Sequence, residues 1–198
     1  MPRGGGGGRE GERRMIEPAV ARRVRLVGFD VDGTMTDGGL YIGTHGGEPV
    51  ELKRFDIQDG LGVKLLRDAG VKTVMITGRA GEAARIRAEE LKVDEFVISG
   101  GQKLAGFEPL LAKHGVRWAE TCFVADDLVD LPILRQCGLP VAVANACREV
   151  KAAASFVTAA AGGHGAVREF VEAFLQARGA WTESVRTYLR ERGDVAAH

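Results

Sequence analysis

Two carboxylates at the end of a short apolar segment are the residues of this sequence best placed to do chemistry. Asp30 and Asp32 follow the apolar run that begins at Leu26, and Gly33 then breaks the segment. Such a run predicts a buried β-strand, and ligands of open α/β sheets bind at the carboxyl ends of the strands. Because successive side chains of a strand alternate, both acids are predicted to face the same site.

The two acids are suited to different steps of a phosphoryl transfer. Asp30 is the candidate nucleophile, because a carboxyl group with an ordinary pKa of about 3.9 is ionised at neutral pH and attacks phosphorus without a base. Asp32, next to another anion, is predicted to have a raised pKa and to hold a proton for the leaving oxygen. For the tetrapeptide D-x-D-G alone, an Asx turn after a strand is the commoner structure.

A second acidic string follows a later apolar segment. Thr121–Ala125 is predicted to be a strand that delivers Asp126, Asp127 and Asp130 to its carboxyl end. Carboxylates crowded there beside the first pair would repel by about 4 kcal/mol for two unit charges about 4 Å apart at an effective dielectric of about 20. A divalent cation offsets this repulsion, and oxygen ligands alone favour magnesium.

A hydroxyl and a glycine amide follow another predicted strand. The run Val71–Ile76 ends at Thr77 and Gly78, groups that are suited to hydrogen-bond phosphate oxygens. Arg79 comes next. Its guanidinium is suited to fork onto a substrate carboxylate or phosphate, or to form a surface ion pair, and the sequence leaves both alternatives open.

Together, these strings resemble the motifs of the haloacid dehalogenase superfamily of phosphotransferases. Phe29–Gly38 is similar to its first motif, Thr77 with Gly78 to its second, and Asp126–Asp130 to its fourth. The ending Thr36-Asp37-Gly38 looks like the capless branch that contains the 3-deoxy-D-manno-octulosonate (KDO) 8-phosphate phosphatases. The turn and helix start at 162–169 resemble a signature of the same branch. The resemblance covers roughly residues 26–172.

The resemblance implies a magnesium-dependent phosphatase that acts through an aspartyl-phosphate, and it assigns roles to individual residues. The catalytic residues are Asp30 and Asp32; the metal ligands are Asp30, Asp32 and Asp126, with Asp127 and Asp130 beside them; phosphate is bound by Thr77, Gly78 and Lys103; the substrate is contacted by Asp59, Arg79 and Arg168. From the residues alone, a lysine at a helix start is usually solvent-facing, and Asp59 is equally suited to be an N-cap.

The resemblance also implies a substrate and an assembly. The substrate would be KDO 8-phosphate, a lipopolysaccharide precursor, and an alternative within the branch is a nine-carbon, sialic-acid-type 9-phosphate. In that family the C-terminal segment of one subunit reaches a neighbour's site in a tetramer, so we expect a homotetramer with Gly163 and Arg168 at an interface. Alternatives of another class are a phospho-receiver domain and a non-catalytic sugar-phosphate-binding module.

The elements that must position these residues are strands and helices in alternation. This order predicts an α/β fold with a doubly wound, mostly parallel sheet and helices on both faces. Two strand-like runs around a glycine-rich loop, Leu40–Ile42 and Val50–Phe55, predict a β-hairpin flap, and no cap domain fits before Thr77. We expect a flexible Gly/Arg-rich tail at 1–22, the phosphatase domain at 23–178, and a helix or tail at 179–198.

Composition excludes several other classes of protein. The 198 residues suit one domain, and 27 basic against 27 acidic residues argue against an electrostatic nucleic-acid binder. No apolar run approaches the roughly 20 residues that span a bilayer, and no apolar signal segment is present, so we expect a cytoplasmic protein. Cys122, Cys137 and Cys147 lack a C-x-x-C spacing, which argues against a zinc site or a disulfide framework.

Overall fold

The structure, a computed structural model that describes residues 15–194, is built on parallel strands with helices between them. In chain order, the strands of this region are β1 (Leu26–Asp30), β2 (Tyr41–His45), β3 (Glu48–Leu52), β4 (Lys72–Thr77), β5 (Glu95–Ile98), β6 (Thr121–Ala125), β7 (Leu139–Ala142) and β8 (Phe156–Val157). Six of them form one sheet in the order β5-β4-β1-β6-β7-β8, and every neighbouring pair in it is parallel. The predicted doubly wound α/β fold is confirmed.

Helices cover both faces of this sheet. In chain order they are α1 (Pro18–Arg23), α2 (Ile57–Asp68), α3 (Glu82–Leu91), α4 (Lys103–His114), α5 (Leu131–Leu134), α6 (Arg148–Ala153), α7 (Ala166–Arg178) and α8 (Trp181–Arg190). The ring of Phe29 in β1 lies 6.4 Å from that of Phe170 in α7, whereas a side chain at neighbouring Gly28 would meet Phe107 of α4. Since successive positions of a strand face opposite sides, α7 and α4 lie on opposite faces of the sheet.

The chain changes direction at the centre of the sheet. From β1 it winds outward through β4 to β5, and it then crosses to β6 and winds outward through β7 to β8. The carboxyl ends of β4, β1 and β6 therefore meet at the reversal, where ligands of open α/β sheets bind. Since β1 and β6 are buried along their full length, the side chains at and just after their carboxyl ends are the ones that can form a site there.

A separate two-stranded sheet forms the predicted hairpin flap. β2 and β3 pair antiparallel, with Tyr41 opposite Leu52 and His45 opposite Glu48, and all of β2 is exposed. Between β1 and the end of β4, the chain forms a tight loop, this hairpin, α2 and β4. The fold is therefore capless, as predicted, and the hairpin is the element able to cover the site.

The folded region begins before the predicted domain boundary. α1 packs on α7, and Ala21 is fully buried. The guanidinium of Arg178 donates to the carbonyl oxygens of Ala21 and Val24, at 3.0 and 2.7 Å. Most of α1 thus lies within the stretch that composition places in the flexible tail, and it packs on α7. The rest of the predicted tail, 1–14, lies outside the described residues.

The C-terminal region, predicted to be a helix or a tail, forms α8. The guanidinium carbon of Arg168 lies 5.5 Å from the centre of the Trp181 ring at the start of α8, and Lys64 of α2 pairs with Glu191 just after its end. α8 therefore rests on α7 and α2 of its own chain. Residues 195–198 lie outside the described region. Within 15–194, no helix combines the length and apolarity that crossing a membrane requires.

Candidate active site

Four predicted site residues stand at the ends of elements along one edge of the sheet. Asp30 is the last residue of β1, Thr77 is the last of β4, Asp126 directly follows β6, and Lys103 begins α4. Because the three strands are parallel neighbours, their carboxyl ends share this edge. Ligand atoms of Asp30, Asp126 and Asp130 all lie within 4.8 Å of one another. The structure thus brings Asp30 of the first acidic string together with Asp126 and Asp130 of the second.

Lys103 is the cation inside this acidic cluster. Its Nζ lies 2.5 Å from Oδ1 of Asp30 and 2.7 Å from Oδ1 of Asp130, and its side chain is 3% exposed. The backbone N–H of Val31 donates to the same Asp30 oxygen at 2.6 Å. Lys103 therefore fixes the position of the candidate nucleophile. Both the Lys103 ammonium and the Val31 N–H contact Oδ1 of Asp30, and neither contacts Oδ2.

Burial changes the acidity of the cluster. It raises the pKa of Asp30, while attraction to Lys103 opposes the change, so the expectation of an ordinary pKa at this strand end is wrong. Burial, together with the neighbouring Asp30 carboxylate, raises the pKa of Asp126 to about 8 and that of Asp130 to about 7. Burial lowers the pKa of Lys103, but Asp30 and Asp130 raise it by more. Lys103 is thus a permanent counter-charge for the nucleophile.

The three clustered carboxylates fit a divalent cation. All of the donors are oxygens, the ligand type that magnesium prefers. Oδ2 of Asp130 is buried and has no hydrogen-bond partner in the described part of the chain, which leaves it available to a cation. The predicted ligand Asp32 differs, because β1 ends at Asp30 and the Asp32 carboxylate, on the following loop, is turned to Lys53 and Thr77. Asp130, predicted to lie beside the ligands, joins the cluster instead.

Magnesium binding is expected to strengthen as the pH rises from about 6 to about 8. Without metal, Asp126 and Asp130 hold protons below their raised pKa values of about 8 and about 7. Magnesium needs ionised carboxylates and displaces these protons, so affinity should rise up to about tenfold per pH unit for each proton released. Calorimetric titration with MgCl2 in buffers of different ionisation enthalpy measures affinity and proton release together. Asp126→Asn is the weak-binding control, and an affinity constant over this range would contradict the prediction.

Asp32 has both carboxylate oxygens engaged. Oδ2 accepts from the hydroxyl of Thr77 at 2.9 Å, and Oδ1 lies 2.6 Å from Nζ of Lys53. The Thr77 hydroxyl in turn accepts the backbone N–H of Arg79 at 3.0 Å. Lys53 is absent from the predicted set. One feature of the sequence could have indicated it. Lys53 follows Glu51 by two residues at the end of the hairpin, and this spacing places both charged side chains on the same face of an extended chain.

A glycine turn before α7 supports the loop that carries Asp32. Gly162 lies so close to this loop that a Cβ there would sit 1.9 Å from the carbonyl oxygen of Gly33. The side chain of Asn145 joins the two segments, donating to that Gly33 oxygen at 2.8 Å and accepting the Gly162 N–H at 2.6 Å. Gly163 donates its N–H to another carbonyl of the loop, within its own chain. Asn145 is thus a supporting residue that no motif indicated.

Asp59, predicted to contact the substrate or to cap a helix, joins two helices instead. It lies in the first turn of α2, is 1% exposed, and its Oδ1 accepts the backbone N–H of Arg168 at the start of α7, at 2.8 Å. The cap of α2 is Asp56, which accepts the N–H of Gln58 at 2.7 Å. Burial is the main cause that raises the pKa of Asp59 to about 6. In this structure the Asp59 carboxyl group serves the packing of α7 on α2.

The other predicted residues lie at the rim of the site or outside it. Arg79 forms an ion pair with Glu51 at 3.0 Å, which is the surface alternative that the sequence left open. The guanidinium of Arg168 pairs with a glutamate one turn further along α7. Asp127 is exposed and accepts the backbone N–H of the next residue, and Gly78 follows Thr77 directly at the end of β4.

Comparison with known proteins identifies relatives along most of the chain. Residues 95–170 match the model of the haloacid dehalogenase-like hydrolases. The chain is 36% identical over 157 residues to the 3-deoxy-D-manno-octulosonate 8-phosphate phosphatase KdsC of Escherichia coli K12, covering 79% of this chain and 82% of that one. The KdsC protein of Yersinia pestis is 37% identical over 155 residues, covering 78% and 81%.

Solved structures of the same kind superimpose on the fold. The 3-deoxy-D-manno-octulosonate 8-phosphate phosphatase of Moraxella catarrhalis, solved in complex with a magnesium ion, a phosphate ion and a KDO molecule, gives a TM-score of 0.81 at 32% identity, with 86% of this chain and 97% of that one covered. The cobalt-bound phosphatase of Haemophilus influenzae gives 0.76 at 35% identity, covering 82% and 94%.

Proposed function

The chain belongs to the haloacid dehalogenase-like hydrolases, in the family of the 3-deoxy-D-manno-octulosonate 8-phosphate phosphatases, and from this membership we propose that it hydrolyses KDO 8-phosphate to KDO and phosphate. The observation that carries the proposal is the contact of Lys103 Nζ with Asp30 at 2.5 Å, beside the carboxylates of Asp126 and Asp130. A buried, lysine-paired carboxylate within an oxygen cluster that fits magnesium is what a phosphate-accepting aspartate requires.

Two chemical steps through one covalent intermediate complete the reaction. A carboxylate oxygen of Asp30 attacks phosphorus, the bond between phosphorus and the sugar oxygen breaks, and Asp32 gives its proton to the departing oxygen. Water then attacks the phosphorus of the aspartyl-phosphate, Asp32 takes a proton from that water, and Asp30 is regenerated as phosphate leaves. Proton transfer by Asp32 should contribute about 10²–10⁴-fold to the rate.

Charge stabilisation must supply most of the remaining acceleration. Lys103 lies against the nucleophile, where its ammonium can offset charge that builds on the phosphoryl oxygens. The hydroxyl of Thr77 can turn from Asp32 to a phosphate oxygen, with the adjacent amide of Gly78 as a second donor. Asp30, Asp126 and Asp130 would hold magnesium, which, when bound, supplies positive charge at the transferring phosphoryl group.

A panel of sugar phosphates tests the substrate. Purified protein with magnesium is expected to release phosphate from KDO 8-phosphate with a kcat/KM at least about tenfold above that for a nine-carbon, sialic-acid-type 9-phosphate, since the relatives compared carry the name of the former activity. A clear preference for the nine-carbon ester would overturn the choice of substrate within the branch. Saturable binding of both esters without repeated phosphate release would indicate a non-catalytic module instead.

We further propose that the enzyme is a cytoplasmic homotetramer, on the basis of the family resemblance. The exposed apolar residues of the hairpin, Tyr41, Ile42 and Leu52, give it a surface suited to contact with other copies. Light scattering coupled to size exclusion should give about four times the chain mass of 21.1 kDa. A monomeric mass at working concentration would refute the assembly and leave the chemistry of the single chain to be tested separately.

A further inference from the structure

Lys53 is a buried cation that belongs to none of the motifs at the strand ends. It directly follows β3 of the hairpin, yet its side chain is only 1% exposed. Its Nζ lies 2.6 Å from Oδ1 of Asp32 and 3.2 Å from Oε1 of Glu51. An ammonium group removed from water is retained only where anions compensate for the lost hydration, and here Glu51 remains an anion in the state in which Asp32, the proposed proton donor, is protonated.

These contacts are part of a closed ring of polar groups. Glu51 bridges Lys53 and the guanidinium of Arg79, which it meets at 3.0 Å. The backbone N–H of Arg79 donates to the Thr77 hydroxyl, and that hydroxyl donates to Oδ2 of Asp32. The ring therefore connects the end of the hairpin with the carboxyl end of β4 and the loop after β1. A shift of the hairpin would move the ammonium that contacts Asp32.

We infer that Lys53 is the positioning residue for proton transfer by Asp32, an inference that rests on the proposed phosphatase function. By holding Oδ1, Lys53 fixes the rotation of the carboxyl group and makes Oδ2 the oxygen that carries the proton. When the Thr77 hydroxyl turns to phosphate, Oδ2 loses this hydrogen-bond donor and is free to carry the proton for the departing oxygen. The Oδ2–H bond breaks as the sugar O–H bond forms, and in the second step a proton from water restores it.

This role gives the hairpin a chemical task in addition to covering the site. Asp32 lies on a loop beyond the end of β1, so the strand does not fix its side chain. The Lys53 ammonium supplies that constraint from the hairpin, 21 residues further along the chain. The Asp32 carboxyl group is therefore correctly oriented only when the hairpin is docked against the site. Misplacement of a catalytic group by about 1 Å can cost about 10²-fold in rate.

The test uses the variant Lys53→Met, which keeps the length of the side chain and removes the ammonium. It compares a substrate whose leaving group needs a proton with one whose leaving group does not. With a sugar phosphate, kcat should fall about 10–100-fold while KM changes less than about threefold. With p-nitrophenyl phosphate, whose leaving group departs without a proton, the pre-steady-state burst of p-nitrophenol should keep its wild-type rate. Steady-state turnover should still fall, because water activation needs Asp32. Glu48→Gln, an exposed change in the same hairpin, should match wild type.

Each other pattern of rates would overturn the inference. If burst and steady-state rates fall together, Lys53 supports the whole site and not the proton transfer. If only the KM for the sugar ester rises, Lys53 binds substrate. As a second measurement, ethylammonium ions should restore steady-state turnover of Lys53→Ala several-fold, and absence of rescue counts against the inference. Because the burst uses p-nitrophenyl phosphate, failure of KDO 8-phosphate as a substrate would refute the substrate assignment without affecting this comparison.

Discussion

Asp30→Asn is expected to reduce phosphate release by about 10⁴-fold or more, the scale on which covalent enzymes lose activity with their nucleophile. The amide oxygen carries no negative charge and does not attack phosphorus. It can still accept from Val31 N–H and from Lys103, as Oδ1 of Asp30 does, so the fold should persist. Phosphate release under saturating substrate and magnesium measures the loss, and thermal unfolding checks the structure.

A matched change elsewhere separates this effect from general damage. Asp68→Asn replaces a carboxylate on α2 that pairs with Lys64 on the outer surface of the helix, and it should leave turnover within about twofold of wild type. Undiminished hydrolysis by Asp30→Asn would reject Asp30 as the nucleophile. If Asp30→Asn loses activity because it unfolds, the nucleophile is identified instead by trapping the phosphoenzyme of the wild-type protein, which should carry the phosphoryl group on Asp30.

Lys103→Met is expected to lower kcat by about 10²–10³-fold, a typical loss for one charge-stabilising group, and also to destabilise the fold. Met fills the space of the aliphatic stem, but Asp30 and Asp130 lose their shared cation inside the protein. Removing one partner of a buried ion pair costs about 3–5 kcal/mol when the remaining charge cannot be neutralised. Chemical denaturation in the presence of EDTA measures the change in unfolding free energy.

The destabilisation should depend on pH in a defined direction. Burial raises the pKa of Asp130 to about 7 in the folded state, so this carboxyl group changes from mostly neutral near pH 5 to mostly ionised near pH 8; burial also raises the pKa of Asp30. The loss of Lys103 should therefore cost little near pH 5 and most near pH 8. Lys113→Met, at the exposed end of the same helix, is the control and should cost less than about 1 kcal/mol at either pH. An equal cost for Lys103→Met at both pH values would contradict this assignment of charge.

The positions of the core strands along the chain and the residues at their ends could be predicted from the sequence. Asp30, Thr77 and Asp126 each stand at the end of a short apolar run, a local pattern that marks where a buried strand stops. Parallel strands bring their carboxyl ends to one edge, so recognising the strands was enough to predict this edge as the site, and the order of the strands in the sheet then placed β4, β1 and β6 side by side. The hairpin and the absence of a cap followed from turn residues and chain length in the same way.

Contacts made between distant segments were decided by the tertiary structure alone. Lys53 reaches Asp32 across 21 residues, and Asn145 reaches Gly33 across 112, so no local pattern reveals either pair. The sequence singled out Asp59 and Asp130 as acids near the site, but it did not predict their contacts. In the folded chain Asp59 accepts a hydrogen bond from the start of α7, and Asp130 lies in the acidic cluster. Hydrophobic periodicity specifies which face of an element is buried, whereas the partner of a polar side chain is specified only when the elements have packed.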